Sequence, residues 1–127
     1  IIDLTAPRIL GEYLVNNKNY HSLFTLAKTN NLWAKRAAMV ANLTLIKAGE
    51  CAPALQLAQQ YLSTKEELLH KATGWILREI GQQDKQLLLN FLDHYASQMP
   101  RIMLRYSLEK LPPELRQKYL TIPYGIH

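Results

Sequence analysis

The sequence predicts an all-α fold made of short, paired helices. Apolar residues recur every three or four positions along most of the chain, which is the period of a helix. No stretch alternates apolar and polar residues for long enough to predict a strand. Hydrophobic residues make up 48% of the 127 residues, which is enough to bury a core. We therefore expect a single helical domain over residues 1–127.

Eight helices are predicted, and residues that cap or break helices separate them. Asn30 or Asn31 is expected to cap the third helix, and Gly49 to end it. Ser63 and Glu66 have the spacing of a capping box and predict the start of the fifth. The eight helices are expected over about residues 5–15, 20–27, 32–48, 53–62, 63–80, 84–96, 100–111 and 112–120.

The remaining boundaries follow from proline, glycine and aspartate. Pro53 suits the first turn of the fourth helix, Gly81 is expected to end the fifth, and Asp84 to cap the sixth.

Antiparallel helix pairs at this spacing are typical of a HEAT-like α-solenoid, whose repeat is roughly 40–47 residues. A plain helical bundle is the alternative. In a solenoid, one face lines a concave surface on which duplex DNA could lie.

Charge and cysteine content narrow the function classes. Fifteen Lys and Arg against ten Asp and Glu give a net charge of +5, which suits nucleic acid or another anionic surface. The single cysteine, Cys51, excludes an internal disulfide framework, so we expect a reducing, cytoplasmic setting. No apolar run approaches the roughly 18 residues of a membrane-spanning helix. No nucleotide-binding, metalloprotease or hydrolase motif occurs, and we expect no metal site.

The predicted fifth helix carries an aromatic residue between two cations. Lys71 lies four residues before Trp75, and Arg78 three after it, so the three share one flank of the helix. This arrangement suits a phosphate backbone beside a sugar or base. The alternative is that Trp75 packs between helices and Arg78 pairs with a carboxylate. Gly74 costs a helix about 1 kcal/mol relative to alanine, which indicates a close approach there.

Three further places carry candidate residues. Arg36 lies one helical turn after Trp33 and beside small alanines, which would let a partner approach the helix closely. The alternative is that Trp33 packs in the core and Arg36 is solvated. Arg101 and Arg105 are spaced to project together, either onto phosphates or into solvent. Asp3 is either an ordinary N-cap or a carboxylate facing a developing cation, and the residues alone do not decide between them.

These segments together resemble the AlkD-type DNA alkylation repair family. The matching strings occur in the family's order, and the resemblance covers almost the whole chain. The last of the four strings is similar to a C-terminal segment of a subset of relatives. They are Ile2-Asp3-x-x-x-Pro7-x-x-Leu10-Gly11, Trp33-x-x-Arg36-Ala37-Ala38, Lys71-Ala72-x-Gly74-Trp75-x-Leu77-Arg78-Glu79 and Met99-Pro100-Arg101-x-x-Leu104-Arg105-Tyr106. The third string is the most specific of them.

The resemblance implies a HEAT-like solenoid whose concave basic face holds duplex DNA. It implies cleavage of the N-glycosidic bond of cationic N3- or N7-alkylated purines without base flipping, metal or cofactor. Asp3 would be the catalytic carboxylate, Trp75 an aromatic residue facing the lesion's sugar, and Arg36 a residue gripping the DNA. We expect Lys71, Arg78, Arg101 and Arg105 to bind DNA as well, and the protein to be a monomer.

The sequence departs from the family at its start. The family's other active-site tryptophan lies one turn before the aspartate, a position ahead of Ile1. We therefore expect the chain to be the C-terminal portion of a longer member that also supplies the first helices of the groove. Two other functions stay open: a non-catalytic module that binds duplex or unusual DNA, and a protein-interaction scaffold.

Overall fold

The structure, a computed structural model, describes Lys28 and residues 31–122. This part of the chain is helical and contains no strand, which confirms the all-α prediction for it. The first two predicted helices, and Asp3, lie outside the described residues. The described helices are α1 (Leu32–Lys47), α2 (Ala52–Tyr61), α3 (Glu67–Gln83), α4 (Lys85–Tyr95), a 3-10 helix (Ala96–Gln98), α5 (Arg101–Leu108) and α6 (Pro113–Leu120).

Three of the predicted helix boundaries are confirmed at atomic detail. The Asn31 side chain accepts a hydrogen bond from the backbone N–H of Ala34 at 3.1 Å and caps α1. Gly49, just after α1, has a φ of 89°, a conformation that favours glycine. The Asp84 side chain accepts from the backbone N–H of Gln86 at 3.1 Å and caps α4.

The predicted capping box is wrong. Helix α3 begins at Glu67, and its N-cap Glu66 makes no side-chain cap hydrogen bond. The Ser63 hydroxyl donates instead to the carbonyl of Gln60 at 3.4 Å. The Thr64 hydroxyl donates to the carbonyl of Tyr61 at 2.9 Å. Both hydroxyls therefore satisfy carbonyls at the end of α2, where free acceptors are available, rather than amides at the start of α3.

Two helix ends also differ from the prediction. Helix α3 continues through Gly81 to Gln83. A Cβ atom at Gly81 would meet the side chain of Leu88 in α4, so the glycine permits this close contact between the helices. The glycine thus serves packing rather than termination. Helix α5 ends at Leu108, three residues early, and the backbone turns so that Leu111 is buried. Burial of that leucine favours the turn over a longer helix.

Helix α3 is the centre of the packing. It contacts α1, α2, α4 and α5. A Cβ atom at Gly74 would lie 2.6 Å from the Cβ of Tyr106 and 2.7 Å from the carbonyl oxygen of Met103, both in α5. The close approach predicted at Gly74 is therefore confirmed, and α5 is the element that approaches. The buried residues of α3 are Leu69, Ala72, Thr73, Gly74, Ile76, Leu77 and Ile80.

Hydrogen bonds fix the other helices to one another. The Tyr61 hydroxyl donates to the carbonyl of Lys35 at 2.7 Å, which ties α2 to α1. The Tyr119 hydroxyl donates to Asp93 Oδ1 at 2.7 Å, which ties α6 to α4.

Within the described residues, no helix is both long and apolar enough to cross a membrane.

Candidate functional site

An open depression of about 320 Å³ lies where α1, α3 and α5 meet. We call it the Trp75 depression. Helix α1 contributes one residue to it, α3 contributes five on successive turns, and α5 contributes one. The lining residues are Arg36, Leu68, Lys71, Ala72, Trp75, Arg78 and Tyr106.

Four residues singled out from the sequence meet in this depression. Lys71, Trp75 and Arg78 share a face of α3, as their spacing predicts, and Arg36 of α1 joins them. The packing of α3 against α1 brings the two sequence segments together. Ala37 and Ala38, next to Arg36, are buried, so their small size serves packing inside this protein rather than approach to a partner.

Trp75 is half-buried: it packs against the hydrophobic core and also lines the depression. The packing and functional interpretations of this residue are therefore compatible with each other. Trp33 differs, because 63% of its surface is exposed, and the alternative that placed it in the core is wrong. Sequence reasoning missed Tyr106 as a lining residue, although it ends the Met-Pro-Arg-x-x-Leu-Arg-Tyr string.

The charged residues that line the depression are all basic. Three of its described lining residues are cations, and none is a carboxylate. Arg36 makes no ion pair with any residue that the structure describes. Lys71 Nζ lies 3.6 Å from Glu67 Oε1 one turn earlier, but both side chains are largely exposed, so the pair is weak.

Arg78 is the most constrained of the three cations. Its Nη1 lies 2.5 Å from Glu109 Oε2, and its Nη2 lies 3.8 Å from Glu79 Oε1. Its Nε is buried and has no hydrogen-bond partner among the described residues. The carboxylate pairing considered as an alternative for Arg78 therefore occurs, and Arg78 lines the depression as well.

The other candidate residues lie elsewhere. Arg101 and Arg105 are exposed on α5 and do not line the Trp75 depression.

Cys51 is buried, and burial raises the pKa of its thiol, with smaller contributions from the charges of Asp84 and Glu50. This favours a packing role over a nucleophilic one. In the described part of the chain, no three His, Cys, Asp or Glu side chains form a group that could hold a metal ion.

Comparison with known families bears directly on this site. A family model described as DNA alkylation repair enzyme matches residues 1–111. The chain belongs to the DNA alkylation repair enzyme family. The match spans Asp3 and every lining residue of the Trp75 depression, and it confirms the resemblance seen in the sequence. The comparisons with curated proteins and with solved structures gave no match.

Proposed function

We propose that this member of the DNA alkylation repair enzyme family is a glycosylase. It hydrolyses the N-glycosidic bond of cationic N3- and N7-alkylated purines in duplex DNA. The observation that supports this most is the Trp75 depression, in which a half-buried indole lies among three cations and no described carboxylate. Cations suit the phosphates on either side of a lesion, and the indole suits the sugar between them.

Hydrolysis of this glycosidic bond needs little catalytic assistance from the protein, because an alkylated cationic purine is already a good leaving group. The C–N bond breaks, the purine departs with the bonding electron pair as a neutral base, and positive charge develops on the sugar. Water adds to the sugar carbon and loses a proton. The Trp75 face stabilises the developing cation, and the Asp3 carboxylate stabilises it further and accepts or directs the proton of the water.

The shape of the site favours recognition without base flipping. Enzymes that flip a base enclose it in a snug pocket. The Trp75 depression is open and lies on the surface between helices, with Arg36 and Tyr106 at its sides. We propose that the lesion stays in the duplex and that its backbone is pressed against this surface.

The overall arrangement that we propose is a HEAT-like solenoid with a concave basic face. The described helices, together with those predicted over residues 5–15 and 20–27, form its antiparallel pairs. Arg36, Lys71 and Arg78 contact the phosphates beside the lesion. Arg101 and Arg105, exposed on α5, contact phosphates farther along the duplex, and the protein acts as a monomer.

Timed release of 7-methylguanine from methylated duplex DNA tests the proposal. We expect release by the wild-type protein and loss of release in Asp3→Asn, with both proteins folded and bound to DNA. Binding without release by the wild type would indicate a non-catalytic DNA-binding module. DNA affinity that does not fall with salt would argue for a protein-interaction scaffold, since phosphate contacts are strongly salt-dependent.

A further inference from the structure

A second depression, of about 200 Å³, lies next to the first and shares Arg78 with it. It forms where the end of α3, the start of α4 and the turn between α5 and α6 meet, and it is more enclosed than the Trp75 depression. We call it the Lys85–Lys110 depression after the two lysines that line it with Arg78.

The charges around this depression are unbalanced. Arg78, Lys85 and Lys110 come from three separate elements, and no described carboxylate lines the space between them. Neither lysine forms an ion pair with a residue in the described range, and both are exposed. Arg78 is paired with Glu109 and Glu79, so Lys85 and Lys110 are the cations of this depression that remain for an anion. The depression is therefore suited to an anionic group.

The apolar walls of the depression indicate which kind of anionic group fits it. Leu88, Leu111 and Pro112 give the depression an apolar side, and Gly81 keeps that side open because it has no side chain. The hydroxyl of Ser107 is already donated to the carbonyl of Leu104 at 2.7 Å. An apolar wall beside cations matches a sugar–phosphate unit better than a small inorganic anion, because the sugar carbons cover the apolar surface.

We propose that the Lys85–Lys110 depression binds one sugar–phosphate unit of the DNA strand, next to the unit that occupies the Trp75 depression. Lys85 and Lys110 contact its phosphate. Arg78 lies between the two units, so the two depressions form one continuous binding surface for the strand. This inference rests on the proposed function, because it takes the duplex as the ligand of the Trp75 depression.

The first test compares two charge-matched double variants. Lys85→Gln/Lys110→Gln removes the two lysines of the depression, and Lys47→Gln/Lys65→Gln removes two exposed lysines that line neither depression. We expect the first to weaken duplex binding about 3- to 10-fold and to make the dependence of log affinity on log salt shallower by about 1. The second should change affinity less and leave the slope unchanged. Equal effects of the two variants would overturn the proposal.

The second test locates the phosphate and identifies its source. Duplexes carrying one neutral methylphosphonate at successive positions remove single phosphate charges. Wild-type affinity should fall at a phosphate next to the lesion, and the Lys85→Gln/Lys110→Gln variant should be insensitive at that position alone. An identical profile for both proteins would overturn the proposal. Protection of the two lysines from acetylation identifies the source of the phosphate. If inorganic phosphate protects them and duplex DNA does not, the site binds a free anion and the proposal is overturned.

Failure of this inference can be told from failure of the proposed function. Release of 7-methylguanine is measured with the wild type on the same duplexes. If the wild type binds and excises while the two double variants behave alike, the inference alone is wrong. If the wild type neither binds nor excises, the proposed function is wrong and the inference fails with it.

Discussion

Arg78 of α3 and Glu109 at the end of α5 form an ion pair, with 2.5 Å between Nη1 and Oε2. The arginine side chain is 21% exposed and the glutamate 56%. A pair open to water on one side contributes only about 0–1 kcal/mol to stability. Its larger consequence is competition, because the carboxylate occupies the guanidinium of a residue that lines both depressions.

Glu109→Gln should therefore tighten duplex binding. The substitution removes a carboxylate that competes with DNA phosphates for the guanidinium, and we expect about a 2- to 5-fold gain in affinity at low salt. The melting temperature should change by no more than a few degrees. Fluorescence anisotropy with labelled duplex measures the affinity. Glu114→Gln, an exposed glutamate of α6, makes the same change in net charge and is the control. Weaker binding by Glu109→Gln would show that the carboxylate is needed to orient Arg78.

Gly74→Ala should destabilise the fold, although alanine is the better helix former. The added Cβ meets the backbone carbonyl of Met103 and the Cβ of Tyr106, neither of which can move alone. We expect a loss of about 1–3 kcal/mol in the free energy of unfolding, measured by urea denaturation. Gly81→Ala is the matched control, because its Cβ meets the flexible end of Leu88 and should cost less. A more stable Gly74→Ala variant would contradict the close packing of α3 and α5.

Arg36→Gln should weaken duplex binding more than Lys47→Gln does. Both residues lie on α1 and both changes remove one positive charge, but only Arg36 lines the Trp75 depression. We expect about a 3- to 10-fold loss of affinity for Arg36→Gln, together with a shallower salt dependence. Titrations at several salt concentrations measure both quantities. Equal losses for the two variants would indicate general electrostatic attraction instead of contact at the depression.

Cys51 should resist thiol reagents in the folded protein. Its side chain is buried, and the raised pKa of the thiol leaves less of the reactive thiolate at any given pH. We expect slow reaction with Ellman's reagent at pH 8 and fast, complete reaction in denaturant, which serves as the internal control. Fast labelling of the native protein would contradict the burial of Cys51 between α1 and α2.

Local signals predicted much of this architecture. The side chains of Asn31 and Asp84 and the backbone of Gly49 determine nearby boundaries, so their roles were readable from the sequence. Ser63 and Gly81 misled the prediction because tertiary contacts decide their roles. Ser63 bonds back to the preceding helix, and Gly81 makes room for Leu88.

The residues of the candidate site also fall into two groups: those that local spacing predicts and those that depend on tertiary packing. Helical spacing alone placed Lys71, Trp75 and Arg78 on one face of α3. The contributions of Arg36 and Tyr106 depend on how α1 and α5 pack against α3, which periodicity does not reveal. The pairing of Arg78 with a carboxylate was foreseeable as a type of contact. Its partner, Glu109, lies 31 residues away and was not identifiable from local spacing.

The single-turnover rate of 7-methylguanine release by Trp75→Ala, compared with Trp33→Ala, tests the central claim most directly. Both substitutions remove an indole, but Trp33 lines neither depression. If the Trp75 face stabilises the developing sugar cation, Trp75→Ala should lower the rate by about 10-fold or more while Trp33→Ala retains it. Duplex affinity should change much less in both, and Trp75→Phe should recover part of the rate. Equal rates for the two alanine variants, with both proteins folded, would contradict the assignment of this depression as the lesion site.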